Sequence, residues 1–150
     1  DLPFSVLVTF KFPAQNIRLA MVHGSPRSNE DYVKERMPDR VLLKMLNDIN
    51  ADILLMGHTH KPFHKAIFFE EENRRIYKHV INAGSVGKPK HGNNKSCYTV
   101  LNMGENTNLA DPNSIKVDFE YINYNIEKVI DNIHSLGLGD AYDHFLKNGE

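Results

Sequence analysis

Hydrophobic positions at the start of the chain cluster in two short stretches, as is typical of β-strands. Residues 5–10 and 17–22 are rich in apolar and β-branched side chains, and a short turn that contains Pro13 separates them. This pattern predicts a hairpin or two neighbouring strands. The second strand ends at residues 23–26, His-Gly-Ser-Pro, where glycine and proline interrupt it and begin a polar loop. A histidine is therefore expected at the carboxyl end of a strand.

The next segment changes to the period of a helix. Apolar side chains between residues 39 and 50 recur at helical spacing, and Pro38 with Asp39 indicates where the helix begins. The run Ile-Leu-Leu-Met at 53–56 is entirely apolar, which is typical of a short strand buried on both faces. The order strand, helix, strand predicts a parallel crossover.

The rest of the chain first alternates β-forming stretches with turns and then becomes helical. Asn125 is a candidate cap for a helix over residues 126–136, and Asp140 indicates the start of a second helix through residue 146. The whole pattern predicts an α/β fold with a sheet in the middle and helices at the end. Four further strands are expected at residues 66–69, 76–82, 96–102 and 115–121.

Sulfur-containing side chains fall on apolar positions of these elements, whereas the histidines away from strand ends stand beside polar neighbours. We expect Cys97 and three methionines to fill the core. We expect most of the five remaining histidines to be solvated. The methionines are Met21, Met45 and Met56, and the histidines are His64, His79, His91, His134 and His144.

Composition narrows the class of protein. The chain has 150 residues, of which 41% are hydrophobic and 25% charged, as in an ordinary globular domain. Its formal net charge of -1 provides no broad positive field for nucleic acid or an acidic membrane. The single cysteine excludes an internal disulfide and favours a reducing, cytoplasmic setting. The longest apolar run has four residues, too short to span a bilayer.

Three strand ends place a polar side chain next to glycine. They are residues 23–24 (His-Gly), 57–60 (Gly-His-Thr-His) and 82–85 (Asn-Ala-Gly-Ser). Ligands of open α/β sheets bind outside the carboxyl ends of strands, so three adjacent ends would converge on one site. Taken singly, the first pattern also fits a capped or solvated histidine, and the third fits a glycine-rich turn that ends an edge strand.

The spacing of two histidines favours a metal site. His58 and His60 are two residues apart, and such residues project from the same side of an extended segment. Their imidazoles would then reach two positions a few ångströms apart, which suits a pair of metal ions. A structural zinc site is a weaker alternative, because the chain has no cysteine cluster.

The order of these motifs resembles the second half of the calcineurin-like phosphoesterase superfamily, and in particular its small bacterial and archaeal phosphodiesterase branch. The resemblance covers nearly the whole chain. It rests on Leu-Pro-Phe at 2–4, His-Gly-Ser-Pro at 23–26, Gly-His-Thr-His-Lys-Pro at 57–62, Asn-Ala-Gly-Ser-Val-Gly-Lys-Pro at 82–89 and Tyr-Asn-Ile-Glu at 124–127.

The resemblance implies a role for individual residues. His23 and His58 match the histidines that bind the second metal ion, and His60 matches one that binds the first. The implied cofactor is a pair of divalent ions, with Mn, Zn, Fe and Ni all possible. A loop over residues 82–87 would line the pocket, and the implied substrate-binding residues are Asn82, Gly84, Ser85 and Lys88.

The resemblance also implies a fold and a boundary. The expected architecture is the C-terminal half of a four-layer αββα sandwich, so that residues 1–150 form a single partial domain whose N-terminal half is absent. The motifs Asp-x-His, Gly-Asp with its bridging aspartate, and Gly-Asn-His with its catalytic histidine would lie in that half. We therefore expect no catalytic residue in this chain, and we interpret Gly-Asp at 139–140 as a helix start.

The implied function is metal-dependent hydrolysis of a phosphodiester by the intact protein, with this chain alone inactive. The alternative is a non-catalytic scaffold or interaction module with the same fold. The expected partners are a small phosphate-ester substrate and either a second copy, joined through an exposed sheet edge, or the missing N-terminal segment. Neither a membrane nor nucleic acid is indicated.

Overall fold

A computed structural model of the chain describes residues 3–71 and 73–150, and at residue 71 it describes the backbone alone. The described residues form seven strands and three helices. In chain order these are β1 (Ser5–Lys11), β2 (Asn16–Val22), α1 (Asp39–Asp48), β3 (Ile53–Met56), β4 (Phe63–Glu71), β5 (Arg74–Asn82), β6 (Ser96–Asn102), β7 (Lys116–Ile122), α2 (Ile126–Ser135) and α3 (Asp143–Asn148).

Five of the strands form one mixed sheet in the order β1-β2-β3-β5-β4. β1 pairs antiparallel with β2, and β4 with β5, so each edge of the sheet is formed by two strands that are consecutive in the chain. β2, β3 and β5 run parallel, which confirms the predicted crossover through α1. Their carboxyl ends therefore meet at the same edge of the sheet. The antiparallel pair β6-β7 forms a separate two-stranded ribbon.

Both faces of the five-stranded sheet are covered, because successive strand residues point to opposite sides. On one face Leu42 and Leu46 of α1 pack with Leu54 and Val80 of the sheet. On the other face Ile17, Leu19, Ile53 and Ile81 pack with residues of and around the ribbon, including Ile115, Leu101 and Val117. Burial on both faces explains why β3 is entirely apolar.

The structure confirms several local predictions and corrects two. Asn125 caps α2, since its side-chain oxygen accepts the backbone N–H of Lys128 at 3.0 Å. Cys97, Met45 and Met56 are buried as predicted. The prediction for Met21 is wrong: it is 36% exposed, because it lies near the end of β2 outside the cluster that packs on the ribbon. The last helix begins at Asp143, three residues after the predicted start.

The expectation that most of the five remaining histidines are solvated does not extend to His64 and His79. His79 is fully buried, and its Nδ1 lies 2.9 Å from Nε2 of His64, with the two rings stacked 5.2 Å apart. Both side chains occupy the face of β4 and β5 that also carries Ile81 and Ala66. Burial lowers the pKa of His79 to about 4, with a smaller contribution from His64. Burial also lowers the pKa of His64.

Two of the remaining histidines lie on the surface. His134 and His144 are exposed, as predicted, and bind the carboxylates of Asp143 and Glu150. Among the helices described, none has the length and apolar character required to cross a membrane.

Candidate metal site

The carboxyl ends of β2, β3 and β5 are joined by backbone hydrogen bonds beyond the strands themselves. Gly57 donates its N–H to the carbonyl of His23 at 3.0 Å, and Ala83 donates to the carbonyl of Met56 at 2.8 Å. The loops that carry the three sequence motifs therefore leave the sheet side by side. This arrangement confirms that the three strand ends converge.

The glycine after His23 is required by a tight loop. A Cβ at Gly24 would lie 2.6 Å from the carbonyl oxygen of Asn29, closer than real Cβ contacts occur. The loop is held by Ser25, whose buried hydroxyl donates to Asp31 at 2.6 Å and accepts a backbone N–H from Ser28 at 3.2 Å. The compact loop fixes the direction of the chain directly after the histidine.

The segment that carries His58 and His60 is a bend and not the extended segment predicted from its sequence. The two histidines have φ angles of 59° and 60°, in the left-handed region. Thr59 between them donates its N–H to the carbonyl of Gly57 at 2.7 Å. Such conformations cost about 1 kcal/mol or more for a residue with a Cβ, and they concentrate at functional sites.

Asn82 holds this bend in place. Its amide nitrogen donates to the carbonyl of Gly57 at 2.5 Å and to the hydroxyl of Thr59 at 3.0 Å, and its oxygen accepts the N–H of Gly84 at 3.1 Å. The side chain is fully buried. The polar atoms of Asn82 are thus engaged with the protein, and its contribution to the site is to position the histidine-bearing bend.

His23 and His58 are in direct contact. Nε2 of His23 lies 3.0 Å from Nδ1 of His58, with the ring planes inclined at 74°. The ring of Tyr32 packs edge-on against His58, with the ring centroids 4.4 Å apart. Nε2 of His58 is buried, and no hydrogen-bond partner for it occurs within the described part of the chain. The pair therefore keeps unused capacity to coordinate or to donate.

His60 is oriented by the main chain. Its Nδ1 lies 2.6 Å from the carbonyl oxygen of Lys88. A carbonyl only accepts, so Nδ1 carries the proton and Nε2 keeps its lone pair. Burial lowers the pKa of His60, the nearby charges of Lys90 and Lys88 lower it further, and the hydrogen bond to Lys88 opposes them. A neutral imidazole with one nitrogen bound to a carbonyl is the usual form of a histidine that ligates metal.

The loop after β5 lies between this bend and the last helix. Gly84 has a φ of +78°, and a Cβ there would lie 2.8 Å from Sγ of Cys97. The hydroxyl of Ser85 accepts the N–H of Lys88 at 3.0 Å. The ammonium of Lys88 lies over two aromatic rings of the C-terminal segment, 4.7 Å from the ring centre of Tyr142 and 4.9 Å from that of Phe145.

The residues present fit part of a metal site. Two nitrogen ligands on one ion, each about 2.1 Å from it, lie roughly 3.0–3.4 Å apart, so the 3.0 Å spacing of His23 and His58 suits a shared ion. The free Nε2 of His60 suits a further bond. Among the described side chains of residues 3–70 and 73–150, no group of three or more His, Cys, Asp or Glu side chains is placed to hold one ion. The three imidazoles are therefore candidate ligands for part of such a site.

Two pockets adjoin the histidines, and sequence reasoning missed both. One, of about 450 Å³, is lined by His23 with Phe4, Met21 and Val22 among others. The other, of about 470 Å³, opens next to the bend, and we refer to it as the cationic pocket. The sequence feature that could have predicted the cationic pocket is the basic loop that follows the first histidine motif. The cationic pocket is lined by Tyr32, Lys34, Glu35, Arg36, Thr59, Lys61, Pro62, Phe63 and Lys90.

Comparison with known proteins identifies relatives of the chain. A sequence model described as the calcineurin-like phosphoesterase superfamily domain matches residues 5–106. An uncharacterized protein of Methanocaldococcus jannaschii is 28% identical over 93 residues, which are 55% of this chain and 33% of that protein.

Two solved structures share the fold. A metallophosphoesterase from Sphaerobacter thermophilus has a TM-score of 0.68 at 19% identity, over 99% of this chain and 59% of its own. A hypothetical protein from Pyrococcus horikoshii has a TM-score of 0.67 at 19% identity, over 100% of this chain and 52% of its own. The chain spans about a third of the curated relative and between half and three fifths of these two structures.

Proposed function

Because this chain belongs to the calcineurin-like phosphoesterase superfamily, whose members bind divalent metal ions, we propose that it forms the histidine-bearing part of a metal-dependent phosphodiesterase. The observation that carries the proposal is the contact of His23 with His58 at the ends of adjacent parallel strands. Next to them burial favours the neutral form of His60 by lowering its pKa, and the carbonyl of Lys88 orients its ring. These are the donor type and orientation that a metal site requires.

We assign His23 and His58 to one ion and His60 to a second, with Mn, Zn, Fe or Ni as candidates. When bound, such ions polarise a phosphoryl oxygen and acidify a water molecule. The protein's part is positioning: Asn82 fixes the bend that presents the two histidines, and Lys88 fixes the tautomer of His60. Ser85 and the backbone at Gly84 are the proposed contacts for the phosphate.

Hydrolysis of a diester is favoured over that of a monoester by the two pockets. His23 lines one of them, and Thr59 and Tyr32, which contacts the ring of His58, line the other. A diester carries two substituents on phosphorus, and each pocket offers room for one of them. A monoester would leave one pocket without a role.

We further propose that residues 1–150 are one partial domain that needs the remainder of the fold for activity. Three imidazoles are neutral donors and leave the repulsion between two dications uncompensated, which anionic ligands normally offset. The chain spans only 59% and 52% of the two structures that share its fold. Carboxylates and the proton donor would come from the rest of the protein.

Replacing His58 with alanine in the complete protein tests the metal assignment. We expect a loss of bound manganese and a fall of at least 10- to 100-fold in turnover of bis(4-nitrophenyl) phosphate, because a ligand to the metal is removed. Metal content is measured by elemental analysis of the purified protein. His144→Ala is the matched control, since that histidine is exposed and its hydrogen bonds within the described residues are to Asn148 of its own helix and to Glu150.

Two results would contradict the proposal in different ways. Unchanged metal content in His58→Ala would remove this residue from the site. Normal metal binding by the unaltered protein without turnover of mono- or diesters would favour the non-catalytic scaffold instead.

A further inference from the structure

The cationic pocket is continuous with the candidate metal site. Tyr32 lines it and also contacts the ring of His58 at 4.4 Å. Thr59, which lies between the two histidines of the bend, lines it as well. Lys61 directly follows His60 in the chain and contributes its side chain to the same pocket. A molecule held at the histidines would therefore extend into this pocket.

The charge of the pocket is strongly positive. Four cationic residues line it, Lys34, Arg36, Lys61 and Lys90, against a single Glu35, which gives four minus one, or +3. None of the four cations makes an ion pair with a carboxylate of the described chain. The whole chain has a formal charge of -1, so this excess is local.

The pocket at His23 is different in kind. The described residues that line it are Pro3, Phe4, Met21, Val22, His23 and Asn29, and none of them is Lys, Arg, Asp or Glu. The histidine pair thus adjoins one pocket whose described lining lacks such side chains and one that is cationic. A substrate that fills both pockets would carry an anionic group on the substituent that enters the cationic pocket. Its other substituent would need no such charge.

We propose that the cationic pocket binds a second phosphoryl group of the substrate. The preferred substrate class would then be small phosphate esters that carry a further phosphate or pyrophosphate on the substituent next to the bend. A phosphate carries a charge of about -1.5 to -2 at neutral pH and accepts several charge-assisted hydrogen bonds, which suits four unpaired cations. The volume of about 470 Å³ is that of a small-molecule site. The inference rests on the proposed function.

The cations of the pocket are accessible to solvent. Lys34, Arg36 and Lys61 are exposed, and Lys90 is half-buried. Exposed like charges that share a pocket repel one another, so their grouping is mildly unfavourable until an anion enters. Because the charges are solvated, we expect binding that weakens steeply as ionic strength rises.

Binding of inorganic pyrophosphate to the complete, metal-free protein tests the pocket separately from catalysis. In the presence of EDTA, calorimetry should show pyrophosphate binding at least 10-fold more tightly than orthophosphate. The double variant Lys61→Gln with Lys90→Gln should weaken pyrophosphate at least 10-fold, because it removes two of the four cations. The matched control is Lys116→Gln with Lys128→Gln, which changes the net charge equally on β7 and α2.

The outcomes separate this inference from the proposed function. Equal weakening of pyrophosphate binding in the pocket variant and in the control would overturn the inference, since bulk charge would then explain it. No preference for pyrophosphate over orthophosphate would also overturn it. Arg36→Gln provides a single exposed substitution should the double variant fail to fold, and it should weaken pyrophosphate about 3-fold or more. Failure of the proposed function shows instead in the metal content of His58→Ala.

Discussion

His58 and His60 hold backbone conformations that side-chain-bearing residues seldom adopt. The hydrogen bonds from Asn82 to Gly57 and to Thr59 offset part of this strain. An extended backbone would be relaxed, but it would lose these bonds and the placement of His60 against the carbonyl of Lys88. At the scale of single residues, the geometry of the bend is therefore held by an asparagine whose own polar atoms bond to the protein.

The buried His79 makes stability depend on pH. Its pKa is lowered from 6.5 to about 4 in the folded protein, so only the unfolded chain takes up a proton as the pH falls through 6.5. Stability is therefore complete above pH 6.5 and declines towards pH 4. Between pH 7.5 and 5.0 we expect a loss of about 2 kcal/mol in the free energy of unfolding from this residue.

Urea unfolding of the unaltered protein and of His79→Leu at both pH values measures this contribution. The variant should lose less stability on acidification, because it has no imidazole to protonate at this position. The lowered pKa of His64 acts in the same direction and remains in the variant. An identical pH dependence in the two proteins would show that His79 is protonated equally in the folded and unfolded states.

The sequence indicated the three candidate histidines but not these details. His23, His58 and His60 stand out because they follow strands and sit next to glycine. The left-handed bend was missed, since residues i and i+2 share a side only when the chain is extended. His79 was missed because Lys78 beside it is also buried, so the usual alternation of buried and exposed residues is lost on β5. The roles of the three histidines as ligands stay a prediction.

At the scale of elements, α3 and the loop after β5 support each other. α3 has six residues, too few to be stable alone. It is held by the rings of Tyr142 and Phe145 under the ammonium of Lys88. Beyond it, Gly92 donates its N–H to the carbonyl of Gly149 at 3.1 Å. The carbonyl of the same Lys88 accepts a hydrogen bond from His60, so one residue contacts both α3 and the histidine.

We expect Lys88→Gln to loosen α3 and to weaken metal binding by the complete protein. The loss of the cation from two aromatic faces should cost about 1 kcal/mol, and the backbone carbonyl that orients His60 becomes more mobile. Hydrogen exchange over residues 143–149 reports the first effect, and a manganese titration reports the second.

Two further variants distinguish the contact of Lys88 with the aromatic rings from a general effect of positive charge. Lys88→Arg keeps a cation over the rings and should stay close to the unaltered protein, whereas Lys95→Gln removes an exposed lysine outside this contact. Faster exchange in Lys95→Gln equal to that in Lys88→Gln would show that general charge, and not the aromatic contact, stabilises α3.

The elements themselves were largely predictable. The hairpin β1-β2 and the strand β6 were predicted from clusters of β-forming residues, and α1 was predicted from the helical spacing of its apolar side chains. Both ends of β4 and the start of β5 were not predicted. Where these two strands meet, Glu70 pairs across the sheet with Arg75, and charged positions lack the apolar side chains that indicate a strand. The start of α3 was misplaced because Tyr142 precedes it without a side-chain cap.

At the scale of the whole molecule, the α/β fold class was predicted correctly, and the layers follow from it. One sheet has α1 on one face and the ribbon on the other. The other ligands of the proposed metal ions do not follow from the sequence, because a pair of imidazoles is compatible with several ligand sets. The expected pairing through a sheet edge stays a prediction. β1 forms one edge of the sheet, with Val6 and Leu7 exposed on it.

The only cysteine of the chain lies where the ribbon meets the site loop. Cys97 is 1% exposed, a Cβ at Gly84 would lie 2.8 Å from its Sγ, and burial raises the pKa of the thiol. A thiol reagent can reach it only when the ribbon and the loop separate. The rate of labelling therefore measures how often the ribbon and the loop after β5 separate.

An opening free energy of about 3 kcal/mol would slow labelling by Ellman's reagent roughly 100-fold relative to the unfolded chain. Manganese or pyrophosphate bound at the site should slow it further, because each ligand would favour the closed loop. Labelling at the unfolded rate, with or without these ligands, would mean that the loop spends most of its time apart from the ribbon. One unmodified thiol thus allows ligand binding to be followed in time, without a tag and without a substrate.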